Sequence, residues 1–208
     1  MTRLKRRFQL TMLKDLAKKF TARAYLAYAR RRDRNDIIDV GEYLSKITTA
    51  LILPPDQLES FKSAVCIIDG LRQHFTQTQF YLLTPKTCAG AVSLDERVRL
   101  ISYDVDEIGF HGLPKDKLQQ AIRSRHFDMV IDLNLDFNLI ATFLCRTSEA
   151  RLRICFVHPA RDPFYNFQIR ALDGNSLEQK YQSLVNYLSV FTNGLTPREA
   201  MAETSNVL

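Results

Sequence analysis

Short apolar runs rich in β-branched residues alternate with segments whose apolar residues recur every three or four positions, and this order constrains the chain more than any other feature. The clearest run is Phe127-Asp-Met-Val-Ile-Asp-Leu-Asn134. Its middle is apolar without in–out alternation, the pattern of a strand covered on both faces of a parallel sheet. Its end turns polar at Asp132 and Asn134, where open α/β sheets place a ligand crevice. Further strands are predicted over 48–54, 79–84, 97–103 and 151–157, with 165–172 as a last strand or an irregular return. Helical spacing predicts helices over 56–75, 115–125, 135–145 and 177–191, and 40–47 reads as a short extra turn. Strands alternating with helices imply right-handed crossovers and a mostly parallel sheet. The predicted class is α/β: a single Rossmann-like domain of about five or six strands, preceded by a basic N-terminal helix. The expected divisions are an arm over 1–34, a connector over 35–47, the domain over 48–193 and a flexible tail over 194–208.

The 208 residues suffice for one such domain and an appendage. No apolar run approaches the roughly 18–20 residues that span a bilayer, and no secretory leader is expected, because no compact apolar segment with a cleavage site follows the basic start. Cys66, Cys88, Cys145 and Cys155 form no CxxC pair, so they read as buried, reduced thiols of a cytoplasmic protein. His74, His111, His126 and His158 include no i, i+4 pair, and neither a metal site nor a cofactor is predicted.

The net charge of +6 is concentrated at one end. Residues 1–34 hold twelve Lys or Arg against Asp15 and Asp33, leaving a mildly acidic body. Within 3–32, Leu4, Phe8, Met12, Leu16, Phe20, Ala24 and Tyr28 recur every four residues, with no Gly or Pro before position 41. Arg6, Arg7, Lys14, Lys18, Lys19, Arg23, Arg30 and Arg31 form a candidate docking surface. Three readings stand side by side. The helix docks on an anionic membrane surface, peripheral to the inner membrane; it tracks nucleic-acid phosphates; or its apolar face packs on its own domain, a protein partner or a sister subunit in a homo-oligomer.

Candidate chemistry lies at the predicted strand ends. A nucleotide site of Rossmann or P-loop type needs a Gly-rich turn after the first strand, and Leu53-Pro-Pro-Asp-Gln-Leu58 has none. Asp56, Asp104, Asp106, Asp132 and Asp136 could converge at the carboxyl edge as a base or metal cluster, or serve as helix caps and turn formers. Asp132 and Asn134 are the foremost of these, and His158 and Arg161, after the fifth strand, could hold an anion or lie solvated. His111 sits between glycines in a loop, and no Gly-x-Ser-x-Gly elbow occurs.

Cys66-Ile-Ile-Asp-Gly-Leu-Arg-Gln-His-Phe75 before Phe80-Tyr-Leu-Leu83, Phe127 to Asn134, and Ala150-Arg-Leu-Arg-Ile-Cys155 together resemble the N-terminal domain of the heptosyltransferase-like glycosyltransferases. Members of that group move heptose from ADP-heptose onto lipopolysaccharide core. The resemblance covers roughly 48–160 and implies the fold. It also implies an acidic general base after the first strand, in a Gly-Asp pair that would fall near Glu59-Ser60; neither residue matches, so no catalytic residue carries over. The donor-binding second half of that family finds no room here. The chain is also similar to short bacterial relatives with a basic N-terminal helix and one such half-domain. Two functions follow: a non-catalytic interaction module docking through the basic helix, or a sugar- or nucleotide-binding, glycosyltransferase-like subunit acting with a separate donor-binding chain.

Overall fold

Strand β1 (Thr49–Leu53) lies at the middle of the molecule, and its Leu51, Ile52 and Leu53 are wholly buried. In this computed structural model, residues 2–32, 38–92, 96–172 and 174–192 are described, with side chains from 11–29 and from 38 onward. The described chain runs α1 (Thr2–Arg32), α2 (Val40–Leu44), β1, α3 (Leu58–Val65), α4 (Ile67–His74), β2 (Gln79–Pro85), β3 (Val98–Tyr103), α5 (Asp116–Arg123), β4 (Met129–Asp132), α6 (Leu139–Thr147), β5 (Leu152–Phe156), β6 (Phe167–Ile169) and α7 (Leu177–Thr192). Short 3-10 turns cover Lys86–Ala91 and Val105–Glu107.

The six strands form one sheet in the order β3-β2-β1-β4-β5-β6, every pairing parallel. Alternate strand residues feed two cores, as the pleat requires. Ala50, Ile52, Phe80, Leu82, Met129 and Ile131 meet residues of α3, α4 and α7. Leu51, Leu53, Leu83, Ile101 and Val130 meet residues of α5 and α6, together with Ala29 of α1. The mostly parallel sheet expected from the sequence is therefore parallel throughout, and the ambiguous return over 165–172 contains the short sixth strand.

Three local outcomes differ from the expectation. The single helix over 56–75 is two helices that meet at Cys66. The interruption is slight: Cys66 keeps αR dihedrals (φ −57°, ψ −24°), and its N–H still donates to the Lys62 carbonyl. Helical geometry puts Cys66 opposite the buried Phe61, Ala64, Ile68 and Leu71, so it is exposed rather than buried, whereas Cys88, Cys145 and Cys155 are buried. Burial also raises the Cys145 thiol to about 12, which suppresses the reactive thiolate. A thiol reagent is therefore expected to label Cys66 rapidly in the native protein and the other three only on unfolding. Rapid native labelling of a second cysteine contradicts this burial. Finally, the helix expected over 135–145 starts four residues later, where the Asn138 side chain caps it by accepting from the Ala141 N–H at 3.0 Å.

β4 is locked to β1 at its start. The Asp128 carboxylate accepts from the N–H groups of Thr48 (2.8 Å) and Thr49 (3.0 Å) and from both threonine hydroxyls (2.9 and 3.1 Å). Burial raises its pKa, and the four donors more than offset this, leaving it below the ordinary carboxylate value.

The basic helix packs on its own domain through its C-terminal half. Ala29 is buried, and the Tyr25 ring stacks on Phe164 at 5.0 Å and meets Phe143 at 5.6 Å. No helix among the described residues is long and apolar enough to cross a membrane.

Candidate functional site

β1 and β4 are neighbours, but the strands that follow them lie on opposite sides: β2 beside β1, β5 beside β4. Their C-terminal ends mark the point where the winding reverses, the usual position of a ligand crevice in an open α/β sheet. Leu53 of β1 faces Asp132 of β4 at this edge. Beyond it the two chains part around a cavity of about 260 Å³. Pro55, Asp56, Gln57 and Ser60 line it from the β1–α3 side, Asn134 to Asn138 from the β4–α6 side, and Leu177 and Tyr181 from α7.

The lining has a definite chemical character. It holds two carboxylates (Asp56, Asp136), three carboxamides (Gln57, Asn134, Asn138) and the Ser60 hydroxyl, beside the rings of Phe137 and Tyr181. No Lys or Arg is among the lining residues. Asn138 ties the wall together, donating to the Asn134 carboxamide oxygen at 3.2 Å. Tyr181 is buried, and its hydroxyl has no hydrogen-bond partner among the described residues. An unmet buried polar group is costly, and this one belongs to a residue of the cavity wall.

Beneath the cavity lies a buried ionic network. Asp132 and Arg161 are both wholly buried, with Arg161 Nη2 3.7 Å from Asp132 Oδ2. Asp132 accepts from the Tyr165 hydroxyl at 2.5 Å, and from the Asn134 N–H (2.9 Å) and carboxamide (2.7 Å). Arg161 donates to the Asn134 carbonyl at 2.6 Å and to the Asp136 carbonyl. Its guanidinium also lies 5.9 Å from the Tyr165 ring centroid. Burial pushes the Tyr165 phenol well above its usual value, and the adjacent Asp132 charge adds to this, so Tyr165 stays a donor. Burial alone would lower the Arg161 pKa; the Asp132 carboxylate, Tyr165 and Cys155 together outweigh it, and the guanidinium stays charged.

The sequence candidates thus divide. Asp132, Asn134 and Arg161 come together, but Asp132 and Arg161 are committed to each other and to the 134–136 backbone. Arg161 is wholly buried: its two Nη groups meet a carboxylate and two carbonyls, while its Nε has no hydrogen-bond partner among the described residues. Asn134 and Asp56 line the cavity. Asp104 lies outside the cavity wall and caps the Val105–Glu107 turn in a capping box with Glu107, paired with Lys86 at 3.2 Å. His158 also lies outside that wall, and its Nδ1 accepts from the Ala160 N–H. Among the described residues no three His, Cys, Asp or Glu side chains form a metal-holding group. Of the docking residues, Lys14, Lys18, Lys19 and Arg23 are exposed, while the side chains of Arg6, Arg7, Arg30 and Arg31 lie outside the described residues.

Sequence reasoning missed Tyr165 and Tyr181. Tyr181 had a readable signal: it stands three, four and seven residues before the inward Leu184, Val185 and Leu188. Tyr165 lies in an irregular loop with no periodicity to mark it.

No protein-family model matches the sequence, and no curated protein matches it. Solved structures do share the fold. The E. coli heptosyltransferase WaaC with ADP superposes with a TM-score of 0.54 at 14% identity, over 72% of this chain and 48% of that one. The E. coli ADP-heptose lipopolysaccharide heptosyltransferase II gives 0.51 at 16%, over 67% and 40%. A glycosyl transferase family 9 protein from Veillonella parvula gives 0.58 at 15%, over 79% and 44%. The fold is related to the domains of these glycosyltransferases, and the matched region spans less than half the length of each.

Proposed function

We propose that this chain is a binding half-domain of glycosyltransferase type, which holds a sugar-class, polyhydroxylated ligand in the cavity between β1 and β4 and needs a donor-holding partner lobe for any transfer. The observation that carries this reading is the lining. Carboxylates, carboxamides and a hydroxyl satisfy sugar hydroxyls as donors and acceptors, and aromatic side chains suit the ring. The lack of a lining cation disfavours a free phosphate. The fold likeness to glycosyltransferases supports the same ligand class without transferring their activity.

A thermal-shift series tests it, with free sugars, nucleotide-sugars and inorganic phosphate as probes. A bound sugar-class ligand at about ten times its Kd raises Tm by roughly 3–6 °C, and inorganic phosphate does not. Ser60→Trp, which fills the mouth from a half-buried position, abolishes the shift. No shift with any sugar, or an equal shift in Ser60→Trp, counts against the reading.

A second reading, an interaction module docking through α1, is favoured by the uncovered apolar side chains of that helix.

A further inference from the structure

Helix α1 carries apolar residues on two opposite faces. Ala22, Tyr25, Leu26 and Ala29 turn toward the domain: Ala29 is buried, Tyr25 and Leu26 are partly buried against the core, and the Lys18 chain lies across Gly112. At about 100° per residue, Leu13, Leu16 and Phe20 stand roughly half a turn away from that line. They are 59%, 62% and 76% exposed, and Met12 beside them is 55% exposed. Lys19 and Arg23, both exposed, border this outer band. Asp15 is the single acidic residue between positions 1 and 32, and helical geometry puts it on the domain side. The helix is therefore anchored by one face and presents the other, apolar and cation-edged, to the surroundings.

We propose that this outer face of α1 docks on an anionic lipid surface. Phe20, Leu16 and Leu13 enter the headgroup–acyl boundary while Lys19 and Arg23 stay among the lipid phosphates. Charge complementarity selects this occupant. A second copy of the chain would bring two cation-edged faces of a basic helix together, and like charges oppose that pairing. A nucleic-acid strand would pair with the cations but leave the apolar band uncovered. The body of the protein is mildly acidic, so an anionic surface attracts the helix and repels the rest, which fixes the orientation of docking.

The chain contains no tryptophan, so full-length Phe20→Trp carries a single reporter on the outer face. The probes are vesicles of phosphatidylcholine alone and of phosphatidylcholine mixed with phosphatidylglycerol. With the mixed vesicles the Trp emission shifts to the blue and the protein floats with the lipid. With neutral vesicles binding falls by about tenfold or more. In a parallel flotation of the parent chain, Leu16→Ser/Phe20→Ser and Lys19→Glu/Arg23→Glu each lose most of the binding. Both pairs keep the parent's circular dichroism and Tm, because the altered side chains are exposed. The proposal is overturned by equal binding to neutral and anionic vesicles, or by no flotation at all. It is equally overturned by concentration-dependent dimers that Leu16→Ser/Phe20→Ser dissolves in the absence of lipid binding, or by a salt-sensitive RNA complex, without lipid binding, that the same pair leaves intact.

Discussion

Asp132→Ala is expected to lower the unfolding free energy by about 3–5 kcal/mol, the cost of leaving a buried charge without its partner. Asp132 is the carboxylate beside the wholly buried Arg161, and it receives the Tyr165 hydroxyl and both Asn134 donors. Its removal leaves the buried guanidinium charge without its counter-charge and takes the acceptor from the Tyr165 hydroxyl and the Asn134 N–H. Asp132→Asn rescues little, since a carboxamide offers one acceptor oxygen where the carboxylate offered two. The double variant Asp132→Leu/Arg161→Met is expected to be more stable than either charge deletion alone. The two residues share one network, so coupling on the order of 1–3 kcal/mol separates the double variant from the sum of the singles. Urea denaturation of the parent, Asp132→Leu, Arg161→Met and the double variant reads this directly. Additive losses would mean that the ion pair is not the unit that stabilises this edge.

Asp128→Ala is expected to cost about 2 kcal/mol at neutral pH, through the loss of charge-assisted bonds to Thr48 and Thr49. This effect depends on pH with a definite sign. The folded pKa of Asp128 lies below its unfolded value of about 3.9. Its stabilisation is therefore complete above about pH 4 and fades as pH falls through the folded pKa. The stability gap between the parent and Asp128→Ala should be constant from about pH 5 to 7 and close below about pH 4. Other carboxylates titrate alike in both proteins and cancel in the difference. A gap that stays open in strong acid would contradict the assignment.

The sheet was legible because its strands are short and largely apolar, the central β1 and β4 being covered on both faces. Thr49–Leu53, Gln79–Pro85 and Val98–Tyr103 each end where a proline or an acidic residue interrupts the run. The division of 58–74 into two helices was not legible, because an interruption that keeps αR dihedrals leaves the helical period intact. The candidate site was half legible. Asp132 and Asn134 stand at the strand end that open sheets use, so position marked them. Their actual bonds depend on Tyr165 and Arg161, some thirty residues onward in an irregular loop, a meeting that no local pattern encodes. Asp104 illustrates the opposite case. Asp at a strand end followed three residues later by Glu is the signature of a capping box, and the structure uses it as one. For α1 the four-residue repeat marked a helix, but not which apolar residues face the domain. Tyr25 and Ala29 do, while Leu16 and Phe20 do not.

The central claim is that ligand binds where the winding of the sheet reverses. A ¹H–¹⁵N titration of the full chain with a nucleotide-sugar, and separately with its free sugar, examines this residue by residue. The account predicts saturable shifts at the amides of 56–60, 134–138 and 177–181, absent in Ser60→Trp. Shifts confined to α1 or to the β5–β6 connection, or none at millimolar ligand, would contradict it.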